Sequence, residues 1–538
     1  MNCTDNNFFD VIVVGAGSAG CVIAGRLSQL PVLRTLLLEA GGPNDSAWLR
    51  LPAGFYRTLQ DRSFDWGYQG NPEAGLGGRQ ILHPRGKVLG GCSSTNSMVY
   101  IRGAASDYDS WGKVLDEPRW SYKGVLPLFR RSEDNRDIQN EYHGVGGPMT
   151  VAQSRYRSAF TDAFIAAAID AGLPENDDFN GRILDGVGYY QLTAHEGARV
   201  SAASSFLSDA GPGLTVRLHQ HVSRILIQNG RAVGVEVLRS GGHLEHVHCN
   251  AEVVLCAGAF NTPCLLQRSG IGPPPVLAEL GIPVVLANDW VGAGLQDHLQ
   301  VRVVFETDAE NSLNALLREL LAGSSQESWQ HASEGLTIGA GVVGLFARSA
   351  PDLPAPDIQF HLIPFSAAQP GRLHDVGGVT ISVCALRPRS RGRVHAQSPH
   401  PAAKPSIDCA YLADPADLVP LLEGLRLVRR LAQGRLSPLI RSCLSPISLD
   451  DADEATLAAY VRATATTIFH PTGTCAMAHQ GQGVVDSALR LVGMEGLRVA
   501  DASVMPSIVS GNTNAACIMI GERAADEVAT SLGLSVPW

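Results

Sequence analysis

Residues 9–42, FDVIVVGAGSAGCVIAGRLSQLPVLRTLLLEAGG, limit what this chain can fold into more than any other stretch. An apolar run over 11–14 ends in Gly15-x-Gly17-x-x-Gly20. It passes into a segment of helical spacing whose apolar positions include Val22, Ile23 and Leu27. A second apolar run, 36–38, delivers Glu39. Each part has a mechanical reason. Gly15 allows a tight turn, Gly17 lets backbone approach a pyrophosphate, and Gly20 lets the helix lie close against the strand. The helix start offers free amides and the positive end of its dipole to phosphates. Glu39, about twenty residues further on, is placed to accept from ribose hydroxyls. The unit is a cradle for an ADP-containing cofactor, and alone it does not separate NAD from FAD.

At 538 residues the chain has room for two or more domains. Its net charge of −10 and lack of any basic stripe argue against nucleic acid as a partner. No window approaches the roughly eighteen apolar residues that would span a bilayer. The start, MNCTDNNFFD, lacks the basic-then-apolar order of a secretory signal. Eleven scattered cysteines with no Cys-x-x-Cys pair fit reduced thiols in the cytoplasm, with peripheral contact to a membrane left open. The oligomeric state cannot be read.

After residue 42 a Gly-, Pro- and aromatic-rich stretch through Trp48, Trp66 and Tyr68 reads as ordered loop. A second glycine-rich passage, PRGKVLGGCSSTNSMVYIRG, fills 84–103, with a helix start capped by Ser93 or Ser94. Residues 107–123, with Trp111 and Trp120, read as a surface helix and turn. Residues 158–172 form a helix stopped by Gly172. Segments 222–228, 232–238 and 243–248 make a β-meander around Asn229-Gly230 and Gly241-Gly242 turns, followed by a separate buried strand at 253–256. Further on, helices are expected near 313–321, 418–431 and 454–463, and strands near 358–362 and 379–384. His243, His246 and His248 read as an exposed hairpin rather than a metal site, since no further ligand completes a set. No metal is expected.

Seven passages in order now resemble the glucose-methanol-choline (GMC) oxidoreductases, flavoproteins that oxidise alcohols. The likeness runs from the N-terminal cradle through GKVLGGCSSTN (86–96), GAFNTPCLLQRSGIG (258–272), VGAGLQDHL (291–299) and LRPRSRGRV (386–394). It ends in HPTGTCAM from His470 and LRVADASVMPSIVSGNTNAA (497–516). The nearest flavour is the choline-dehydrogenase-like and aliphatic-alcohol dehydrogenase branch. The resemblance implies FAD as cofactor. It assigns Gly15, Gly17, Ser18, Ala19, Gly20, Glu39 and Ala40 to the ADP half, with Val222 toward the adenine end, and counts Trp66 among the cofactor-binding residues. Arg85, Gly86, Leu89, Gly90, Ser93, Asn96, Ser97 and Val99 would follow the pyrophosphate, ribityl chain and ring. Ala257, Asp501, Ala502, Asn512 and Thr513 would return to the flavin. Members with covalently attached flavin carry a histidine where Thr95 stands, so dissociable FAD is expected.

Oxidising an alcohol needs a base for the hydroxyl proton and an acceptor for hydride, and histidine is the base best matched to neutral pH. By resemblance His470 is that base, and Asn514 holds the substrate oxygen. Asn512 could instead cap the following helix, and His298 reads as a structural residue of the flavin domain. Phe360, His361, Phe365 and Phe469 are expected to line the pocket, which suggests a neutral aliphatic or benzylic primary alcohol. A quinone-type acceptor is expected, with molecular oxygen as the alternative. A non-redox lyase or photodecarboxylase of the same fold, or an NAD-dependent dehydrogenase, would be the competing classes.

The fold class is α/β with an α+β substrate domain. Residues 1–156, 195–299 and 466–538 would build a discontinuous FAD-binding domain of Rossmann type with the meander. Residues 157–194 and 300–465 would supply an inserted substrate domain whose sheet is flanked by helices.

Overall fold

The computed structural model of the chain describes residues 7–538 except 60, 240, 324–336 and 370. The strand Phe8–Val14, apolar but for Asp10, lies at the centre of a seven-stranded sheet. Its parallel neighbours are Thr35–Leu38 on one side and Leu244–Leu255 on the other. Leu214–Arg217 extends the first side, and Leu497–Val499, from the far end of the chain, pairs in parallel with Leu244–Leu255. Strands buried on both faces read as continuous apolar runs, which is the pattern of Val11–Val14 and of Val253–Leu255.

The meander differs from the expected four pieces in one respect. His221–Gln228 and Arg231–Leu238 form a hairpin, but 243–248 and 253–256 belong to one twelve-residue strand, Leu244–Leu255. Its first half pairs antiparallel with the hairpin and its second half runs parallel to Phe8–Val14. A change of pairing partner, not a turn, explains the change of hydrophobic period.

The helix after the glycine turn, Ser18–Leu27, is buried on nearly every side. It packs against the C-terminal helix Asn514–Ser531 and the short helix Ala202–Phe206. Glycine permits both approaches: a Cβ at Gly521 would sit 2.8 Å from the Ala19 carbonyl oxygen, and one at Gly25 would sit 2.2 Å from that of Phe206. The Arg26–Glu522 pair at 2.7 Å fixes the register of the two long helices. The helices Ala105–Leu115 and Tyr122–Ser132 correct the surface reading of 107–123, because Trp111 and Trp120 are both fully buried. Each indole donates to a C-terminal carbonyl, of Ser507 and Ser487 respectively.

A second seven-stranded sheet is antiparallel throughout. It runs Ser442–Cys443, Leu299–Glu306, Gly378–Ala385, Ile358–Ile363, Val343–Ala347, Gly186–Tyr189, with Thr466–Thr467 also on the Leu299 strand. Alternation divides its faces. Val301, Val303, Phe360, Leu362, Ile381 and Val383 enter one apolar core, which also holds the helix Val419–Gln433. Gln300, Arg302, Gln359, His361 and Ser382 share the other face, where Gln300 meets the Thr467 carbonyl and Gln359 meets Asn512. No described helix is long and apolar enough to cross a membrane.

Candidate functional site

The cradle is built from three glycine passages in contact. Gly15 turns the chain at φ +100°, and a Cβ on Gly20 would lie 1.9 Å from the Gly15 carbonyl oxygen, so only glycine lets helix and turn close. A Cβ on Gly17 would meet nothing nearer than 4.0 Å, and Gly17 gives its helix no side-chain cap, leaving first-turn amides to a ligand phosphate. The second passage closes over it: the Gly90 amide donates to the Ala16 carbonyl at 2.7 Å, and Leu89 to Gly42 at 2.9 Å. Gly91 approaches so closely that a Cβ there would lie 2.8 Å from the Gly17 Cα. Glu39 is buried with its carboxylate accepting from the Ala16 amide at 2.9 Å and the Gly41 amide at 2.8 Å. Burial pushes its pKa up to about 7 despite those amides. A buried carboxylate beside uncapped helix amides fits the ribose and phosphates of a dinucleotide. Trp66 and Val222 lie at one end, where Trp66 packs edge-on against His221 and under Lys87.

Asp501 engages its carboxylate with protein. It accepts from the Gly258 amide (2.8 Å), the Thr262 hydroxyl (2.6 Å) and the Ser503 amide (2.8 Å), clamping the C-terminal return onto the helix Gly258–Arg268 behind Ala257. Ser93 caps Ala202 at 2.9 Å, and Asn96 accepts from the Met98 amide and from Arg199. These contacts shape the loop that carries Thr95, Ser97 and Val99.

His470 is held twice by the neighbouring pair Asp297-His298. Its amide donates to Asp297 Oδ1 at 2.8 Å, and Asp297 Oδ2 also accepts from Thr467 and Tyr411, each at 2.5 Å. Its ring Nδ1 lies 3.0 Å from His298 Nδ1. Phe469, just before it, adopts φ +72°, and its carbonyl accepts from Arg85 Nη2 at 2.6 Å. A left-handed non-glycine residue persists only where its surroundings over-determine it. Here Arg85 and Asp297 bracket that turn from both sides.

The hydrogen-bond polarity around His470 follows from two carbonyls. His298 Nε2 donates to the Leu386 carbonyl at 3.0 Å, so its Nδ1 carries the lone pair and accepts the Nδ1–H of His470. That leaves His470 Nε2 as the free acceptor. From the other side, the Tyr190 hydroxyl donates to the Phe360 carbonyl at 2.8 Å and accepts from Gln359 Nε2 at 2.9 Å. Gln359 Nε2 also donates to Asn512 Oδ1 at 3.2 Å, which turns Asn512 Nδ2 toward His470 Nε2, 3.3 Å away. Both chains demand the same tautomer. Burial lowers the pKa of His470 well below the ordinary value, aided by His298, His361 and Arg85, and brings that of His298 to about 3. Both rings are neutral.

Asn514 lies elsewhere. Its Oδ1 accepts from Ser18 Oγ at 2.7 Å, joining the first residues of the two long helices on the cradle side. Asn512 is the amide brought to His470, and the helix that follows, with Thr513 at its N-cap position, has no side-chain cap. Phe360 points away from the site, since it alternates with Gln359 and His361 on their strand and enters the opposite core. Phe365 lies beyond that strand's end against Phe55 and Tyr56. His361 does face the site beside Asn512, and its ring nitrogens make no hydrogen bond of normal geometry. Asp297, Gln359 and Tyr190 escape a reading of the sequence, and His298, expected to be structural, lies against the His470 ring. Only the adjacency of Asp297-His298 within one motif hints at them.

The GMC oxidoreductase N-terminal profile matches residues 9–300 and its C-terminal profile 388–521. The chain belongs to the GMC oxidoreductases. An alcohol dehydrogenase (acceptor) of Pseudomonas putida is 36% identical, covering 98% of this chain and 97% of that protein. An oxygen-dependent choline dehydrogenase of Xanthomonas euvesicatoria is 40% identical, over 97% and 95% respectively. Pyridoxine 4-oxidase from Mesorbium loti superposes with a TM-score of 0.88 at 29% identity, over 96% of this chain and 99% of that one. As a GMC oxidoreductase the protein is an FAD-dependent enzyme acting on CH–OH donors. The mixed α/β architecture, with a dinucleotide cradle and a sheet-based second half, is that of the family's solved structures.

Proposed function

We propose that this GMC oxidoreductase converts a primary alcohol to the aldehyde, with His470 as base and Asn512, in place of Asn514, as the group that holds the alcohol oxygen. One observation carries the reading. The hydrogen-bond chain between the Leu386 and Phe360 carbonyls presents a lone pair on His470 Nε2 and an amide N–H beside it. The substrate hydroxyl takes the place of the Asn512 contact, donating to Nε2 and accepting from Asn512 Nδ2. Its proton passes to Nε2 as the carbinol carbon gives up hydride and the C–O bond becomes C=O. Asn512 then faces the oxygen on which charge develops, where an oriented donor counts most. His298, neutral, accepts from the Nδ1–H of the resulting imidazolium. Bound FAD would supply the hydride acceptor and a route for both electrons to a second acceptor.

Thr95 offers no imidazole for a covalent link, which supports dissociable FAD. Acid precipitation should leave a colourless pellet and yellow supernatant. The likeness to acceptor-dependent dehydrogenases supports a quinone-type acceptor. Hydrogen peroxide formed in step with aldehyde would replace that acceptor by oxygen. The test of the reaction itself is anaerobic mixing of the yellow protein with a panel of primary alcohols. Bleaching of the flavin with aldehyde formation is expected, and a panel that bleaches nothing would overturn the reading.

A further inference from the structure

Arg302 is an anomaly among the arginines that point inward. Arg102 pairs with Glu133 at 2.7 Å, Arg26 with Glu522 at 2.7 Å, and Arg498 with Glu252 at 2.5 Å. The Arg302 guanidinium has no ion-pair or hydrogen-bond partner among the described residues, and only its carbonyl is engaged, by Tyr460. Its side chain is nevertheless exposed, although burial by surrounding protein lowers its pKa. A residue that is both exposed and enclosed lines a deep recess.

The strand register says which recess. Arg302 stands directly across from Ser382, and Ser382 directly across from His361, so the three share one row and one face of the second sheet. That face is the one that carries Gln359 to Asn512. Two strand spacings put the Arg302 Cα roughly 10 Å from that of His361. His361 brings a buried imidazole beside Asn512, and Tyr56 lies within electrostatic range at the Arg302 end. No carboxylate figures among the charges acting on Arg302. A solvent-accessible guanidinium with no protein counter-charge among the described residues is free to pair with an anionic ligand. It would also repel a cationic alcohol such as choline.

We propose that Arg302 is a specificity-determining residue that binds an oxyanion on the substrate, so that the alcohol is one carrying a carboxylate or phosphate at its far end. The inference rests on the alcohol-oxidising reading and narrows its substrate class. The row geometry sets the separation: the carbinol lies at His470 and Asn512, and the anionic group lies across the sheet, with His361 between them. The guanidinium fork matches a two-oxygen acceptor.

The test is a chain-length series of ω-hydroxycarboxylates and ω-hydroxyalkyl phosphates against the matching n-alkanols. It uses flavin-loaded wild-type protein, Arg302→Met and Arg302→Lys. At the chain length that spans the two groups, kcat/KM for the anionic alcohol should exceed that for the n-alkanol by about tenfold or more, the size expected of a charge-assisted contact. The ratio should fall to about one in Arg302→Met and be partly kept in Arg302→Lys, which also serves if the Met variant does not fold. The better of the two series identifies the anion. Equal or better use of n-alkanols at every length, or a ratio untouched by Arg302→Met, would overturn the proposal. Dissociation constants of the same anions, read from the flavin absorbance, separate it from the reaction. If no alcohol bleaches the flavin but the anions bind about tenfold more weakly to Arg302→Met, the site stands and the alcohol reading fails. Equal binding overturns the site.

Discussion

The Asn-Thr-Asn run at 512–514 offers two amides two residues apart, and the structure gives them different work. Asn512 faces His470, whereas Asn514 opens a helix and meets Ser18. Asn512→Ala should therefore slow flavin reduction by about 10²–10³, as loss of one oriented oxyanion donor does elsewhere. Asn514→Ala should act instead on flavin retention. Stopped-flow reduction rates and flavin content of the two variants distinguish these outcomes, and the reverse pattern would return the oxygen-holding role to Asn514. The titration of His470 gives a second residue-scale prediction. Burial holds its folded pKa below the ordinary 6.5, so the neutral base persists as pH falls through 6.5 and is lost only below it. The acid limb of kcat/KM, which reports the free enzyme, should lie below pH 6.5. A limb at or above that value would assign the essential base to another group.

Elements decide which of these residues can be read from sequence. The glycine cradle is legible because each glycine answers a local demand, as the 1.9 Å clash at Gly20 makes plain. His470 is legible because its motif is contiguous. The strand Ile358–Ile363 is only half legible: Gln359 and His361 alternate with Ile358, Phe360 and Leu362, but all six residues are buried, so the alternation does not say which side meets the site. Phe360 and His361 are adjacent in sequence and end in opposite environments. Likewise the two halves of Leu244–Leu255 look like two strands, since pattern follows the partner and not the strand. At this scale Glu39 carries a prediction for flavin-free protein. Its folded pKa of about 7 stands above the ordinary 4.5, so folding favours the protonated form. Its contribution is fully present below pH 4.5 and is lost as pH rises through 7. The stability difference between wild type and Glu39→Gln, from denaturant melts, should shift in favour of the Gln variant between those limits. A difference independent of pH would contradict this.

Over the whole molecule, the chain's two ends form one device. The first strand and helix offer the cradle suited to an ADP half, and the last strand and helix pair with them through Leu255–Val499, Arg26–Glu522 and Ser18–Asn514. The second sheet lends His298 from its entry, Gln359 from its middle strand and Arg302 from its edge region. No single segment contains the site, which is why composition and period reveal the cradle and the fold class but not the network that sets the tautomer of His470. That network is the central claim, and the reductive half-reaction of His470→Ala measures it most directly. Mixed anaerobically with a primary alcohol that reduces the wild type, the yellow, folded variant should bleach more slowly by about 10²–10⁴, the usual contribution of a general base. A rate within a few-fold of wild type would contradict the account.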